Sequence, residues 1–243
     1  MGPIEEYAIE CAICKVYCSE GLNRIVSECL QMYGGYGYVE EYPAEMAFRD
    51  ARINMIFEGT NEINRLLIPG MILKRAMQGR LDLMPWVAGL ANGPGAPADG
   101  PLAEEMNAIE RMKGTTGILL QTAAMKYMQG LEKEQQLLLM LSDLVIDSYV
   151  LDSAVARSRQ RHADGANTAV SDAMTRLLVA QGAARVATNA RHVVNAIAEG
   201  SEADALFKKL QAWEISLSTN VIKERRVIAD SIIAAGRYNE SPQ

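Results

Sequence analysis

The evenly spaced glycines in the second half of the chain place the strongest constraint on its fold. Four of them, Gly130, Gly165, Gly200 and Gly236, lie at intervals of 35, 35 and 36 residues. Each closes a stretch rich in Ala, Leu, Met and Glu, a composition that favours helix over strand. Four helices of similar length with short connections predict an antiparallel four-helix bundle. A solenoid repeat is the alternative, although its units pair shorter helices and no residue pattern recurs at this period.

The first 80 residues predict helices as well, because strand signals are nearly absent and apolar residues recur at helical spacing. The expected helices run from about Ile4 to Gln31, from about Ala44 to Ile56, and from after Gly59 to about Gln78. Thr60 or Asn61 is available to cap the third helix, and Pro69 predicts a kink or a break within it. The chain is therefore predicted to be all-α.

A change in composition separates these two parts. Residues 93–101 contain three Pro and three Gly, which is typical of a linker and unsuited to a helix or a strand. The predicted organisation is a helical domain over residues 1–80, a linker over 81–101 and an appended bundle over 102–243. Residues 83–87 of the linker are apolar but have few basic neighbours, so peripheral membrane contact is left open.

Charge and composition argue against several functional classes. The formal net charge is −6 and the isoelectric point about 5.1, whereas nucleic-acid binding depends largely on Lys and Arg that neutralise phosphates. No nucleic-acid partner is expected. Apolar runs are also too short for a membrane span, and the first residues lack the basic start and apolar stretch of a secretory signal.

The four cysteines predict a structural role. Cys11, Cys14, Cys18 and Cys29 are separated by offsets that bring them back near one face of a helix, where free Cys commonly serves as a small core residue. Cys11 and Cys14 also form a Cys-x-x-Cys pair, but no second Cys or His cluster completes a metal site. Buried thiols, no bound metal and a reducing, intracellular environment are the expectation.

The segment from Gln31 to Arg65 contains the densest group of motifs. It reads Gln-Met-Tyr-Gly-Gly-Tyr-Gly-Tyr, then Tyr-Pro, Phe-Arg-Asp-Ala-Arg-Ile and Ile-Phe-Glu-Gly-Thr-Asn-Glu-Ile-Asn-Arg. Glu58 lies between an apolar run and Gly59, and a carboxylate in a dry pocket can act as a base because its pKa is raised. Taken singly, such a glutamate is most often a solvated loop residue, and paired glycines most often end a helix.

As a joint pattern, this segment resembles the C-terminal region of the acyl-CoA dehydrogenases, flavoenzymes that desaturate acyl thioesters between the α and β carbons. The resemblance implies FAD as cofactor, acyl-CoA as substrate and Glu58 as catalytic base, with Phe57 and Gly59 against the substrate. The residues that it assigns to FAD are Gln31, Gly34, Gly35, Thr60, Asn61 and Glu62. Several relatives carry Gln where Glu62 stands, so a charge there beside a flavin phosphate needs an offset.

The residues beyond this motif indicate which type of acyl-CoA dehydrogenase the chain resembles. Most members of the family end shortly after the helix that follows Glu-Gly-Thr, whereas this chain continues to residue 243. That layout resembles the very-long-chain type and its bacterial relatives, in which the extra bundle stands in for a second pair of subunits. The resemblance implies a homodimer that passes electrons to an electron-transfer flavoprotein, in the bacterial cytoplasm or the mitochondrion. The earlier domains of the family do not precede the motif, so the chain is expected to be inactive alone.

Two other interpretations stay open. One is a non-catalytic helical module for dimerisation or docking, and the other is a related flavin acyl oxidase or an enzyme of acyl-ACP. The intact set of Gln31, Glu58 and Thr60 favours an enzyme, because a non-catalytic module has no chemical need of it.

Overall fold

A computed structural model describes residues 3–238 of the chain, and every regular element in that range is helical. The all-α prediction is thereby confirmed. The helices are α1 Pro3–Glu6, α2 Ala8–Met32, α3 Pro43–Ile53, α4 Asn61–Met77, α5 Leu83–Gly89, α6 Ala103–Tyr127, α7 Gln135–Ala163, α8 Ala169–Ile197, α9 Gly200–Gln211 and α10 Val221–Ala235. Short 3-10 turns cover Gly34–Tyr38, Leu90–Asn92 and Met128–Lys133.

The described residues form two compact units. The first takes the chain up to Leu81 together with Glu132–Ser142, and the second takes Asp82–Leu131 and the chain from Asp143 onward. α5 lies inside the segment that composition predicts as a linker, whereas residues 93–101 contain no helix. Among the described helices, none combines the length and the apolar character that a membrane crossing requires.

The first unit is organised around α2, which packs against both α3 and α4. Ile13 and Val16 on α2 and Ile68 on α4 are almost completely buried, and they anchor this packing. The expected first helix is divided at Tyr7, between α1 and α2. α4 continues through Pro69, which is itself buried, so the predicted break does not occur. Packing of the apolar side of α4 therefore outweighs the hydrogen bond that proline cannot donate.

The prediction of buried cysteines is wrong. Cys11, Cys14 and Cys18 are exposed, Cys29 is partly exposed, and all four thiols are free. The buried side of α2 carries other residues, namely Ile9, Ala12, Ile13, Val16 and Ser19. Because α2 has apolar side chains on two adjacent faces, periodicity could not decide which face α3 and α4 would cover. Within the described residues, no group of three or more His, Cys, Asp or Glu side chains could hold a metal ion.

The second unit is built from long helices whose packing depends on two glycines of α6. α8 packs against both α6 and α10, and α5 packs against α6. A Cβ on Gly114 would overlap the indole ring of Trp213, and a Cβ on Gly117 would overlap that of Trp86. The absence of a side chain at these two positions therefore lets two large rings lie directly on the α6 backbone.

The last of the four expected helices is divided into two shorter ones, α9 and α10, and the four-helix bundle itself stays a prediction. Trp213 follows the end of α9 and is only 2% exposed. Ser218 donates from its hydroxyl to a Glu104 carboxylate oxygen at 2.8 Å, and Asn220 accepts the backbone N–H of Lys223 at 3.1 Å. Side chains of this kind compete for backbone partners and disfavour a continuous helix.

Candidate active site

Two loops border the short helix α3 in the first unit. The glycine turn Gly34–Tyr38 precedes α3 and packs against α2 and α3. Residues 54–60 follow α3 and lead into α4. Since α2 also packs against α4, the same helix supports the elements that flank both motifs.

The glycine turn presents open backbone. Gly34 has a φ of +60°, a left-handed conformation that suits glycine, and it ends α2. A Cβ on Gly34 or Gly35 would meet no other atom within 4 Å, whereas a Cβ on Gly37 would overlap the carbonyl oxygen of Leu30. Gly37 is therefore required by packing within the chain. At Gly35 the surface is open, and the side chain of Gln31 is exposed nearby in sequence.

Glu58 occupies an uncommon backbone conformation. Its φ is +55° and that of Gly59 is +81°. The left-handed region costs a residue with a side chain about 1–2 kcal/mol, and such strain persists only where the surroundings fix it, often at functional sites. Glu58 is exposed, and no other described residue gives its carboxylate a hydrogen bond or an ion pair. Ile56 and Phe57 precede it and are about half exposed, so the carboxylate lies next to apolar surface.

Hydrogen bonds to Gly59 and Asn61 hold this loop. The Gly59 carbonyl accepts one from Lys15 Nζ at 2.7 Å and one from Asn64 Nδ2 at 2.8 Å. Lys15 Nζ also donates to Asn61 Oδ1 at 2.7 Å. The backbone N–H of Asn61 donates to the Met55 carbonyl at 3.1 Å, which closes the loop on itself. Because Lys15 belongs to α2, these bonds tie the loop to the central helix of the unit.

The side chain of Asn61 faces into the unit and is engaged there. Asn61 is 2% exposed, and its Nδ2 donates to Ser19 Oγ at 3.0 Å and to Glu20 Oε1 at 3.1 Å. Arg65 donates to both Glu20 oxygens, at 2.6 and 3.0 Å. Burial alone would raise the pKa of Glu20, but the hydrogen bonds and charge of Arg65, with the bond from Asn61, hold that pKa below its ordinary value.

Thr60 and Glu62 begin α4. Of the two residues predicted as its cap, Thr60 fills the position, because its Oγ1 accepts the backbone N–H of Ile63 at 3.3 Å. Hydrogen bonds from its own backbone N–H and from Thr60 lower the pKa of Glu62. A carboxylate at a helix N-terminus is stabilised by the helix dipole, so the chain itself accommodates the charge of Glu62.

Sequence reasoning did not identify the supporting residues Lys15, Ser19, Glu20 and Arg65. A weak signal was present, since three of them recur on α2 at offsets of four and five residues, beside an apolar face. Polar residues at such spacing also occur on ordinary solvated helix faces, and only the contacts with residues 59–65 distinguish them.

Two family models match the chain. One, described as "Acyl-CoA dehydrogenase, C-terminal domain", matches residues 3–73, which include both loops. A second model with the same description matches residues 113–212. The chain belongs to the acyl-CoA dehydrogenase family.

Individual members of the family agree with this assignment. The chain is 36% identical to "Probable acyl-CoA dehydrogenase" of Bacillus subtilis, over 97% of this chain and 41% of the relative. It is 26% identical to "Very long-chain specific acyl-CoA dehydrogenase, mitochondrial" of Rattus norvegicus, over 89% of this chain and 36% of the relative. A crystal structure of an acyl-CoA dehydrogenase complexed with FAD, from Bacillus anthracis, matches with a TM-score of 0.93 and 34% identity, over 97% of this chain and 41% of that one. The chain thus spans about two fifths of the length of these relatives.

Proposed function

We propose that this chain is the C-terminal part of an FAD-dependent dehydrogenase that converts long-chain acyl-CoA to trans-2-enoyl-CoA, with Glu58 as the base. The observation that carries the proposal is the exposed carboxylate of Glu58, without a partner among the described residues, on a left-handed residue that the loop holds in place. A group kept in a strained conformation, next to apolar surface and free of internal hydrogen bonds, is suited to act on a ligand.

The residues at the two loops fit the binding of a flavin dinucleotide. Gly34 and Gly35 leave their backbone open to close approach, and exposed backbone N–H groups are good partners for phosphate oxygens. Gln31 adds an exposed side chain that can donate hydrogen bonds. The Thr60 hydroxyl already donates to Glu62, so Thr60, Asn61 and Glu62 belong to this set by position alone. FAD, when bound, supplies the hydride acceptor that removal of the β hydrogen requires.

The chain's own chemistry is the removal of the α proton. Glu58 takes this proton from the acyl thioester, and its exposed position allows a bound acyl chain to cover it. A ligand that covers Glu58 also keeps water from competing for its carboxylate. Phe57 would line the acyl pocket, while Gly59 would allow the thioester to come close.

The proposed subtype and partners rest on the second unit and on the exposed surface of the first. The very-long-chain name of the rat relative supports a long-chain substrate. Met32, Tyr36 and Tyr38 lie at the glycine turn and are 81%, 66% and 81% exposed, and exposed apolar side chains so close together suggest a covering partner. We assign that role to a second subunit of a homodimer, and the acceptor role to an electron-transfer flavoprotein.

The proposed domains are residues 1–80, with the flavin and base loops, and residues 102–243, an appended helical part, with a linker over 81–101. The two family matches fall on either side of that linker. By itself the chain would supply one side of the site, so tests of turnover belong in the holoenzyme that contains it.

The test of the base is Glu58→Gln in that holoenzyme. General base catalysis contributes about 10²–10⁴-fold, so we expect kcat to fall by at least about 10²-fold while the FAD absorbance of the purified protein is unchanged. Glu41→Gln is the matched control, because Glu41 is another exposed carboxylate of the same unit. Turnover that survives in Glu58→Gln would refute the assignment of the base, whereas loss of FAD absorbance would give Glu58 a binding role.

A further inference from the structure

None of the residues that the structure describes gives the Glu58 carboxylate a hydrogen bond to orient it, so its direction depends on the backbone that carries it. That backbone is the left-handed pair Glu58 and Gly59, a conformation that an unrestrained glutamate rarely adopts. A loop with two left-handed residues needs hydrogen bonds to hold it, and this chain provides them at the Gly59 carbonyl.

Lys15 supplies a charged donor at that carbonyl. Its Nζ lies 2.7 Å from the Gly59 carbonyl oxygen and 2.7 Å from Asn61 Oδ1. Hydrogen bonds in which one partner is ionised are about twice as strong as neutral ones. Lys15 stands on α2 and is half-buried, so its ammonium group is attached to the helix that packs against both α3 and α4.

The neighbouring groups leave Lys15 few alternative partners. Asn61 Nδ2 donates to Ser19 and Glu20, which fixes the carboxamide with its oxygen toward Lys15. Glu20, the nearest carboxylate in this network, is held by Arg65 through two hydrogen bonds. The lysine is thereby directed to Gly59 and Asn61, the residues on either side of Thr60.

We propose that Lys15 is a positioning residue for the base, which fixes the Glu58 carboxylate by clamping the Gly59 carbonyl and the Asn61 side chain to α2. This inference rests on the proposed role of Glu58. It assigns the Asn61 side chain to the anchor of the loop instead of to the cofactor. A displacement of about 1 Å at a reacting group can lower a rate by about 10²-fold, so loss of the clamp reduces the rate of proton removal more than it reduces binding.

The experiment compares Lys15→Met and Lys15→Arg with the unaltered holoenzyme. Methionine keeps the unbranched apolar stem of lysine and removes the donor, and arginine restores a charged donor. We expect Lys15→Met to lower kcat by about 10²-fold, with KM changed by less than about threefold and the FAD absorbance unchanged. Hydrogen–deuterium exchange of the peptide that covers residues 54–62 should become faster, and Lys15→Arg should recover part of both effects.

Lys126→Met is the matched control. Lys126 Nζ also donates to a backbone carbonyl, that of Ile197 at 2.8 Å, but it lies in the second unit. This variant should leave kcat and the exchange of residues 54–62 as they were. If Lys15→Met matches the control in both, the clamp does not exist. If its kcat falls only in proportion to lost FAD or lost folded protein, and Lys15→Arg shows no recovery, Lys15 is merely structural and the proposal fails.

The loop exchange also separates this proposal from the assignment of the base. Faster exchange in Lys15→Met reports on the clamp without reference to chemistry. If exchange is faster in Lys15→Met but Glu58→Gln keeps its kcat, the clamp exists and the function proposed for Glu58 is wrong. Unchanged exchange with an inactive Glu58→Gln enzyme would retain the base and overturn the clamp.

Discussion

Trp213 should contribute more to stability than any other aromatic side chain of the second unit, and Trp213→Ala tests this. The ring is 2% exposed and lies on the α6 backbone at Gly114. Burial of an indole removes about 200 Å² from water, which at about 25 cal/mol per Å² corresponds to about 5 kcal/mol. Core substitutions of Trp by Ala cost about 3–5 kcal/mol. The expected loss of unfolding free energy is therefore about 3–5 kcal/mol.

Trp86 provides the matched comparison, since its ring also lies over a glycine of α6 but is 43% exposed. Trp86→Ala should cost about half as much, roughly 2 kcal/mol. Urea unfolding followed by circular dichroism at 222 nm measures both values, provided that the slope with urea is unchanged. Equal losses for the two variants, or a loss below about 1 kcal/mol for Trp213→Ala, would show that burial over Gly114 does not hold α9 and α10 to α6.

Two carboxyl groups should shift the pH dependence of stability in opposite directions. The pKa of Glu20 is below its ordinary value of 4.5, because the bonds from Arg65 and Asn61 outweigh burial. The stabilisation that ionised Glu20 gives the folded protein is present above about pH 4.5 and is lost as the pH falls through the folded-state pKa. In Glu20→Gln the melting temperature should therefore fall less steeply as the pH is lowered through this range. Burial raises the pKa of Glu105 above 4.5, and a hydrogen bond from its own backbone N–H and the charge of Arg176 only partly oppose this. Ionisation of Glu105 therefore lowers the free energy of unfolding as the pH rises above that value. Glu105→Gln should melt at a higher temperature than the unaltered protein at pH 7 but not at pH 4. Equal melting temperatures at pH 7 would contradict the burial penalty.

Helix positions followed from the sequence where propensity and periodicity agreed with the packing. α7 and α8 each fill one glycine-bounded interval, because the residues there favour helix and the further glycine of α8, Gly182, is buried by packing. The interval after Gly200 had similar composition but divides near Trp213, because a ring buried against α6 and the polar residues before α10 stabilise another path. That outcome depends on tertiary contact with Gly114, which no local pattern reports.

The candidate site was predictable to a similar extent. The positions of Glu58 and the paired glycines follow from a motif whose spacing is distinctive. The motif does not predict the left-handed conformation of Glu58 or its support by Lys15, because these depend on a contact between residues 44 positions apart. The exposed cysteines of α2 illustrate the same limit, since only the docking of α3 and α4 selects the buried face.

The inclusion of Glu132–Ser142 in the first unit has a consequence for how the protein forms during synthesis. Leu141 is completely buried and Ser142 donates from its hydroxyl to the Arg65 carbonyl, so this segment is attached to α4, a helix made much earlier. The ribosome must therefore release residue 142 before the unit that carries Glu58 can close, by which time α5 and α6 have already been made. For the same reason, a polypeptide that stopped at residue 81 would lack one segment of the first unit. Separate production of the two units therefore requires the segments to be joined in a new order, because a single cut cannot divide them.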